Sequence, residues 1–341
     1  MNNRLFFILY DGIDNSVFQS QVLMPLLTRK KSEPQCDIHI ISFEQGTYTL
    51  PDTPGITFRI FKRLPFFHRW GLMLDSIRLH FILRTYEQYT LLARGPFAGY
   101  IAHKAATSGC KSITVQVRGL AAEEYLYALQ EKTIHFLHKL RYRLYLSLEQ
   151  RLYRARDIIF EAVSPALKEH IIKQYCTPPE NITLAYRDIP SIISSDMQQT
   201  FRAAKRNELG LDENRIVYCY SGSYKAWQCP QETIEYFTSR YVQDPRSFLL
   251  ILTTDLISFR DALAKTGLPS TAFCIRSVSS EALCAYLTAA DFGLLFRKKH
   301  IINTVSRPTK ALEYHAAGLT VLHNDTVPYV IEMPNTRSIH L

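Results

Sequence analysis

The chain has 341 residues, 47% hydrophobic and 21% charged, a length that suits two domains and a composition that excludes a disordered or fibrous protein. The 40 Lys and Arg outnumber the 31 Asp and Glu, and a net charge of +9 points to an anionic partner: nucleic acid, an anionic membrane surface, or a nucleotide or pyrophosphate substrate. There is no zinc finger, Arg-Gly tract or RNA-binding strand motif, which sets nucleic acid aside, and no run approaches the roughly eighteen apolar residues of a membrane span. The seven cysteines are scattered without metal-ligand or redox spacing and fit free thiols in a reducing compartment. Met1-Asn2-Asn3-Arg4 leads straight into a strand and lacks the apolar core of a signal peptide, so the expected location is cytoplasmic.

In the first half, strands are expected at Leu5–Tyr10, Asp37–Phe43, Ile56–Phe61, Tyr89–Ala93, Ser112–Val117 and Ile158–Val163. Helices are expected at Ser16–Leu27 and Phe97–Ser108, across a long region from about Ala121 to Ala155, and at Pro165–Tyr175. Strands alternating with helices imply a parallel sheet covered on both faces, with ligands beyond the carboxyl ends of the strands. Asp11, Arg94 and Arg118 fall at such ends. The proline-bearing stretch from about Arg187 to Gln199 has no clear period and is the expected boundary between domains 1–190 and 200–341.

After it the pattern restarts, with strands at Ile216–Tyr220, Ser247–Leu252, Thr271–Ile275, Phe292–Phe296 and Thr320–His323. The intervening helices are Pro230–Tyr241, Phe259–Lys265, Ser279–Ala289 and one opened by Pro308 and stopped by Gly318. Val327–Ile331 reads as a short extension and Glu332–Asn335 as a turn, so the second domain is expected to be shortened.

Three blocks carry chemistry. The first is Tyr220-Ser221-Gly222-Ser223-Tyr224-Lys225-Ala226-Trp227-Gln228, at a strand end. The second is Ala285-Tyr286-Leu287-Thr288-Ala289-Ala290-Asp291-Phe292-Gly293-Leu294-Leu295. The third is Ser306-Arg307-Pro308-Thr309-Lys310-Ala311-Leu312-Glu313-Tyr314-His315-Ala316-Ala317-Gly318-Leu319-Thr320-Val321. A helix start at Pro308 with Lys310 beside it is a plausible seat for a nucleotide diphosphate.

Over nearly the whole length these blocks resemble family four of the retaining, nucleotide-sugar-dependent glycosyltransferases. That resemblance implies an α/β fold of two facing Rossmann-like domains with a central cleft, the GT-B type. Residues 1–190 would be the acceptor side and 200–341 the nucleotide-sugar side. It implies transfer of a sugar to a hydroxyl of a lipid-linked or saccharide acceptor with retention, as in polysaccharide or lipopolysaccharide biosynthesis, without cofactor or metal. The leaving diphosphate oxygen would itself help to deprotonate the acceptor, with the protein supplying position and positive potential.

Residue by residue, Glu313 matches the family's ribose-binding glutamate, a carboxylate suited to a vicinal diol; its other reading is a helix-start acid complementing the dipole. Lys310, with the helix end at Pro308, would neutralise the diphosphate, and Gly222 would let backbone approach phosphate. The family's arginine and lysine near this glycine stand here as Ser223 and Gln228, so Lys225 and Arg276 are candidates to supply the charge. Trp227 covers the donor or packs against the next helix. The sugar-facing glutamate of many members is replaced, eight positions before Glu313, by Val305, with Asn303 a candidate substitute.

In the first domain, Gly12 would approach sugar or phosphate, Asp11 would orient an acceptor hydroxyl, and Asp14 reads as a helix cap. Arg118 would hold an anionic acceptor or the leaving phosphate, while Glu123 and Glu124 read as first-turn acids. Asp11, Arg118 and Lys310 are thus the candidate catalytic residues. Two segments are candidates for an anionic membrane surface at the inner face of the plasma membrane: the helix Leu137–Arg156 with its basic back, and Phe61–Trp70. For the helix, a core-facing role is the simpler reading. The competing functions are a sugar-nucleotide epimerase or phosphorylase of the same fold, and a degenerate protein that binds a nucleotide sugar or a partner. A nicotinamide dehydrogenase is disfavoured because no Gly-x-Gly-x-x-Gly loop follows the first strand.

Overall fold

A computed structural model describes residues 4–13, 18–46, 48, 53–63, 68–129, 135–186 and 189–339. The expected cap at Asp14, the start of the first helix and the loop 64–67 lie outside the described residues. The chain divides into two compact units, Met1–Asp188 and Ile189–Leu341.

The first unit is built on seven parallel strands: β1 (Arg4–Tyr10), β2 (Asp37–Glu44), β3 (Ile56–Lys62), β4 (Tyr89–Arg94), β5 (Cys110–Val117), β6 (Ile159–Ala162) and β7 (Ile182–Leu184). Their order is β3-β2-β1-β4-β5-β6-β7. β1 and β2 are near-continuous apolar runs, Arg4-Leu-Phe-Phe-Ile-Leu-Tyr10 and Asp37-Ile-His-Ile-Ile-Ser-Phe-Glu44, because both faces are covered. One face packs on the helix Met24–Ser32 and the π-helical turn Gln19–Leu23 before it, through Phe18, Val22, Leu23 and Leu26. The long helical region is two helices, Ala121–Tyr127 and Phe136–Tyr153. On the second of these, Leu148 and Leu152 are core residues, so that face points inward as the simpler reading held, while Lys139, Arg143, Arg151 and Arg154 are exposed.

Several elements had no counterpart in the sequence reading. The helix His68–Leu83 is the largest; β7, the helix Ser195–Glu208 and the short helix Ile301–Thr304 are the others.

The second unit carries six parallel strands: β8 (Ile216–Ser221), β9 (Ser247–Leu252), β10 (Phe273–Arg276), β11 (Phe292–Leu295), β12 (Thr320–His323) and β13 (Thr336–Ser338), in the order β10-β9-β8-β11-β12-β13. The final turn leads into β13 rather than ending the sheet, with the helix Pro328–Ile331 before it. In this unit β8 sits between β9 and β11, so connections leave β8 and β11 towards opposite sides of the sheet. That is the switch point at which doubly wound sheets open a crevice beyond their carboxyl ends. The equivalent position in the first unit lies between β1 and β4.

Candidate functional site

The switch point of the second unit gathers the residues that the sequence placed far apart. β8 ends at Ser221, and Gly222 follows in the left-handed region at φ 139°. A Cβ there would stand 2.6 Å from Gln228 Oε1 and 2.8 Å from Lys310 Nζ, so the turn needs glycine on both conformational and steric grounds. Lys310 Nζ donates to Gln228 Oε1 at 2.9 Å and lies 4.1 Å from the centre of the Tyr220 ring. Gln228 Nε2 in turn donates to Ser223 Oγ at 3.1 Å, and Tyr220 Oη donates to the Ser223 carbonyl at 2.8 Å. Gly222, Ser223 and Lys310 thus form one cluster, with Gln228 as its hinge.

The helix Thr309–Ala316 is capped by Pro308 in extended conformation. Tyr314 locks it in place. Its hydroxyl accepts from the Ser221 N–H at 2.8 Å, and its ring lies so close to β11 that a Cβ on Gly293 would stand 2.3 Å from Cδ2. This close packing fixes Lys310, one turn earlier on the same helix, against the Gly222 turn.

Lys310 is 8% exposed, and burial, reinforced by the charge of Arg297, holds its pKa well below the usual lysine range. Arg297, just beyond β11, is 7% exposed, and its pKa is also lowered by burial. Its Nη1 donates to the Phe296 carbonyl at 3.2 Å. Two buried basic side chains therefore lie at the switch point, close enough for the charge of Arg297 to depress Lys310, and each donates to a neutral oxygen. Glu313 is half-buried one turn from Lys310; burial raises its pKa and the Lys310 charge opposes that rise. Its carboxylate makes no hydrogen bond to a described residue, which leaves both oxygens able to accept.

The other candidates fall elsewhere. Arg276 is not brought to this cluster: its guanidinium bonds Glu208 at 2.6 Å and Tyr286 at 3.3 Å. Lys225 is exposed, its Nζ 5.1 Å from the centre of the Trp227 ring. Val305, in place of the sugar-facing glutamate, is buried, and Asn303 Nδ2 is committed to the Lys298 carbonyl at 2.8 Å. The second cation of the cluster, Arg297, was missed. Its signal was present, because it follows the apolar run Phe292–Phe296 at a strand end, the same criterion that had singled out Arg94 and Arg118.

In the first unit, Asp11 at φ 65° and Gly12 at φ 104° form the turn after β1. The Glu44 carboxylate accepts from the Gly12 and Ile13 N–H groups at 3.3 and 3.2 Å and so holds the turn. Asp11 is paired with Arg63 at 2.8 Å, and that guanidinium stacks 4.6 Å over the Tyr10 ring. Burial raises the Asp11 pKa against the pull of Arg63. Arg94, predicted at the end of β4, donates to Gln21 and Gln116, and Arg118 lies half-buried past β5. Asp11 and Arg118 follow β1 and β5 at their carboxyl ends, with β4 between the two strands. Glu123 accepts from Tyr142 Oη at 2.8 Å, a specific tether beyond a first-turn acid. A further buried acid, Glu149, accepts from the Ala121 N–H at 2.7 Å and Tyr175 Oη at 3.2 Å, and burial raises its pKa to about 7. Among the described residues no group of His, Cys, Asp and Glu could hold a metal ion, and no helix is long and apolar enough to cross a membrane.

No family model and no curated protein matches the chain. Solved structures do. WaaG, a glycosyltransferase involved in lipopolysaccharide biosynthesis, is similar at a TM-score of 0.66 and 15% identity, over 98% of this chain and 85% of that one. Sucrose-phosphate synthase from Thermosynechococcus elongatus is similar at 0.67 and 11%, over 95% and 82%. A glycosyltransferase from Rickettsia africae is similar at 0.65 and 11%, over 99% and 84%. At these identities the likeness speaks to architecture, and on that ground the chain has the fold of the GT-B glycosyltransferases, two Rossmann-like α/β units.

Proposed function

We propose that this protein transfers a sugar from a nucleotide-diphosphate donor to a hydroxyl of a glycolipid or polysaccharide precursor with retained configuration. The observation that carries the proposal is the pair of buried cations, Lys310 and Arg297, beside the Cβ-free Gly222 turn at a sheet switch point. Neither buried base has an ion-paired carboxylate among the described residues, and only the charge of Glu313 acts on Lys310; such burial is costly, and an incoming diphosphate would supply the missing anion. Glu313 would accept from the ribose hydroxyls. As the glycosidic bond breaks, charge would develop on the departing diphosphate, and both cations would stabilise it. On the first unit, Arg63 would hold the Asp11 carboxylate towards an acceptor hydroxyl, and Arg118 would meet an anionic acceptor. Lys225 would add a charge at the rim of the donor site. The enzyme would act in the cytoplasm, at the inner face of the membrane that carries its acceptor.

The test is a panel of nucleotide-diphosphate sugars offered with lipid-diphosphate sugar acceptors, with products read by mass spectrometry. Expected is a mass increment of one sugar from one class of donor, lost in Lys310→Ala. One observation favours a second reading, a protein that binds the donor without transferring: the buried Val305 at the position of the sugar-facing glutamate. Donor binding with no increment on any acceptor would select it. Release of free sugar or an epimer without acceptor would select an epimerase or phosphorylase.

A further inference from the structure

The helix His68–Leu83 has two apolar faces. Leu72, Leu79 and Leu83 are fully buried against the unit, while Trp70, Met73, Leu74, Ile77 and Phe81 are 40 to 65% exposed. At about 100° per residue the exposed five fall within an arc of about 100°, a continuous stripe along the length of the helix and not scattered apolar residues. Beside the stripe a groove of about 600 Å³ opens between this helix and the helices Gly95–Ala105 and Phe136–Tyr153. Its apolar lining comes from Met73, Ile77, Phe81, Tyr100 and Leu152. Lys104 and Arg151 line it as well; both are exposed, and neither has a carboxylate partner among the described residues.

The segment that carries the stripe is net basic, and Asp157 reaches the groove only as the partner of His103 at 3.0 Å. From Gly55 to Glu87 the sequence carries Arg59, Lys62, Arg63, Arg69, Arg78 and Arg84 against Asp75 and Glu87, with Arg63 taken up by Asp11. Asp75 is buried and paired with Arg78 at 3.2 Å, and Arg84 sits 4.6 Å over the Phe81 ring. An apolar slot with unpaired cations at its edge fits a molecule with a hydrocarbon chain and an anionic head. An exposed apolar stripe with cationic flanks fits the surface from which such a molecule comes.

We propose that the groove binds an anionic phospholipid of a bilayer, its acyl chain between Ile77, Phe81 and Leu152 and its phosphate at Lys104 and Arg151, with the stripe lying in the headgroup region. This rests on the membrane-surface part of the proposed function and is independent of sugar transfer. Of the two segments expected at a membrane surface, it keeps Trp70 from Phe61–Trp70 and Arg151 with Leu152 from Leu137–Arg156, and it adds the helix His68–Leu83.

The two tryptophans, Trp70 and Trp227, make the test direct. In a Trp227→Phe background, Trp70 is the sole reporter. With vesicles of phosphatidylcholine and a minority of phosphatidylglycerol carrying brominated acyl chains, Trp70 emission should shift to the blue and be quenched; vesicles of phosphatidylcholine alone should do neither. Lys104→Ala with Arg151→Ala should weaken vesicle binding about 30-fold, the change that two surface cations carry. Ile77→Asp with Phe81→Asp should abolish quenching while the circular dichroism spectrum is unchanged. Monomeric dihexanoyl phosphatidylglycerol should raise Tm, and glycerol 3-phosphate should not, which separates a lipid site from a phosphate site. Equal behaviour with the two vesicle types would overturn the proposal. So would equal stabilisation by glycerol 3-phosphate, or a dimer in solution that Ile77→Asp dissociates. Nucleotide-diphosphate binding by the second unit is measured separately and is expected to survive either outcome.

Discussion

Lys310 carries the main energetic conflict of the molecule. Its ammonium is buried beside Arg297 and its pKa is depressed, so the unfolded chain binds the proton more tightly than the folded one. Stability from this group is therefore present above the unfolded lysine pKa and is lost as pH falls towards the folded one. Replacing the charge with a similar volume, Lys310→Met, should leave the ligand-free protein at least as stable near neutral pH, read by chemical denaturation. The same variant should weaken binding of a nucleoside diphosphate by about 2–5 kcal/mol, the range for truncating one member of a buried charge pair. As pH is raised into the range of the depressed Lys310 pKa, calorimetry in buffers of different ionisation enthalpy should show growing proton uptake on binding in the wild type and little in the variant. The sequence made Lys310, Glu313 and Gly222 legible because they fall in one short motif or at a strand end. Gln228 was read only as a missing lysine, and its role as the acceptor that holds Lys310 depends on a turn geometry that sequence does not encode locally. Arg276 ends one strand and Arg297 follows another; the choice between them depends on strand order, and β10 lies two places from β8 at the sheet edge.

One helix positions these residues, and its seat is sensitive to single atoms. The Thr309–Ala316 helix is held by the Tyr314 hydroxyl on the Ser221 N–H and by the ring against Gly293. Tyr314→Phe should cost about 1–3 kcal/mol by leaving that buried N–H unsatisfied. Gly293→Ala should cost a similar amount, about 1–3 kcal/mol, by overpacking the ring. Urea denaturation checks both. In the first unit, Glu149 caps the Ala121–Tyr127 helix from a buried position. Its pKa of about 7 against an ordinary 4.5 means that the fold favours the protonated acid. That contribution is whole below 4.5 and is lost as pH rises through about 7, about 3 kcal/mol in all. Glu149→Gln should flatten the stability profile across that window. Most helices were legible from their 3.6-residue period and their proline starts. His68–Leu83 was not, because apolar residues on opposite faces erase the period. Ser195–Glu208 was hidden by its polar composition, with Arg206 and Arg202 reaching the carbonyls of 288–290 in place of an apolar stripe.

At the scale of the whole molecule, the alternation of strand and helix was enough to establish the class: each apolar strand buried on both faces demands helices on either side. Strand order was not legible, since it depends on which crossovers reverse direction, and that order is what turns separate strand ends into a site. The switch point of the second unit is proposed as a nucleotide-sugar donor site used for transfer. The most direct measurement is sugar incorporation from a donor panel into a lipid-diphosphate sugar acceptor, run beside diphosphate binding for wild type, Lys310→Ala and Glu313→Ala. Expected are transfer by the wild type, binding and transfer both lost in Lys310→Ala, and weaker donor binding in Glu313→Ala. A wild-type protein that binds no nucleoside diphosphate, or a Lys310→Ala variant with unchanged turnover, would contradict that proposal.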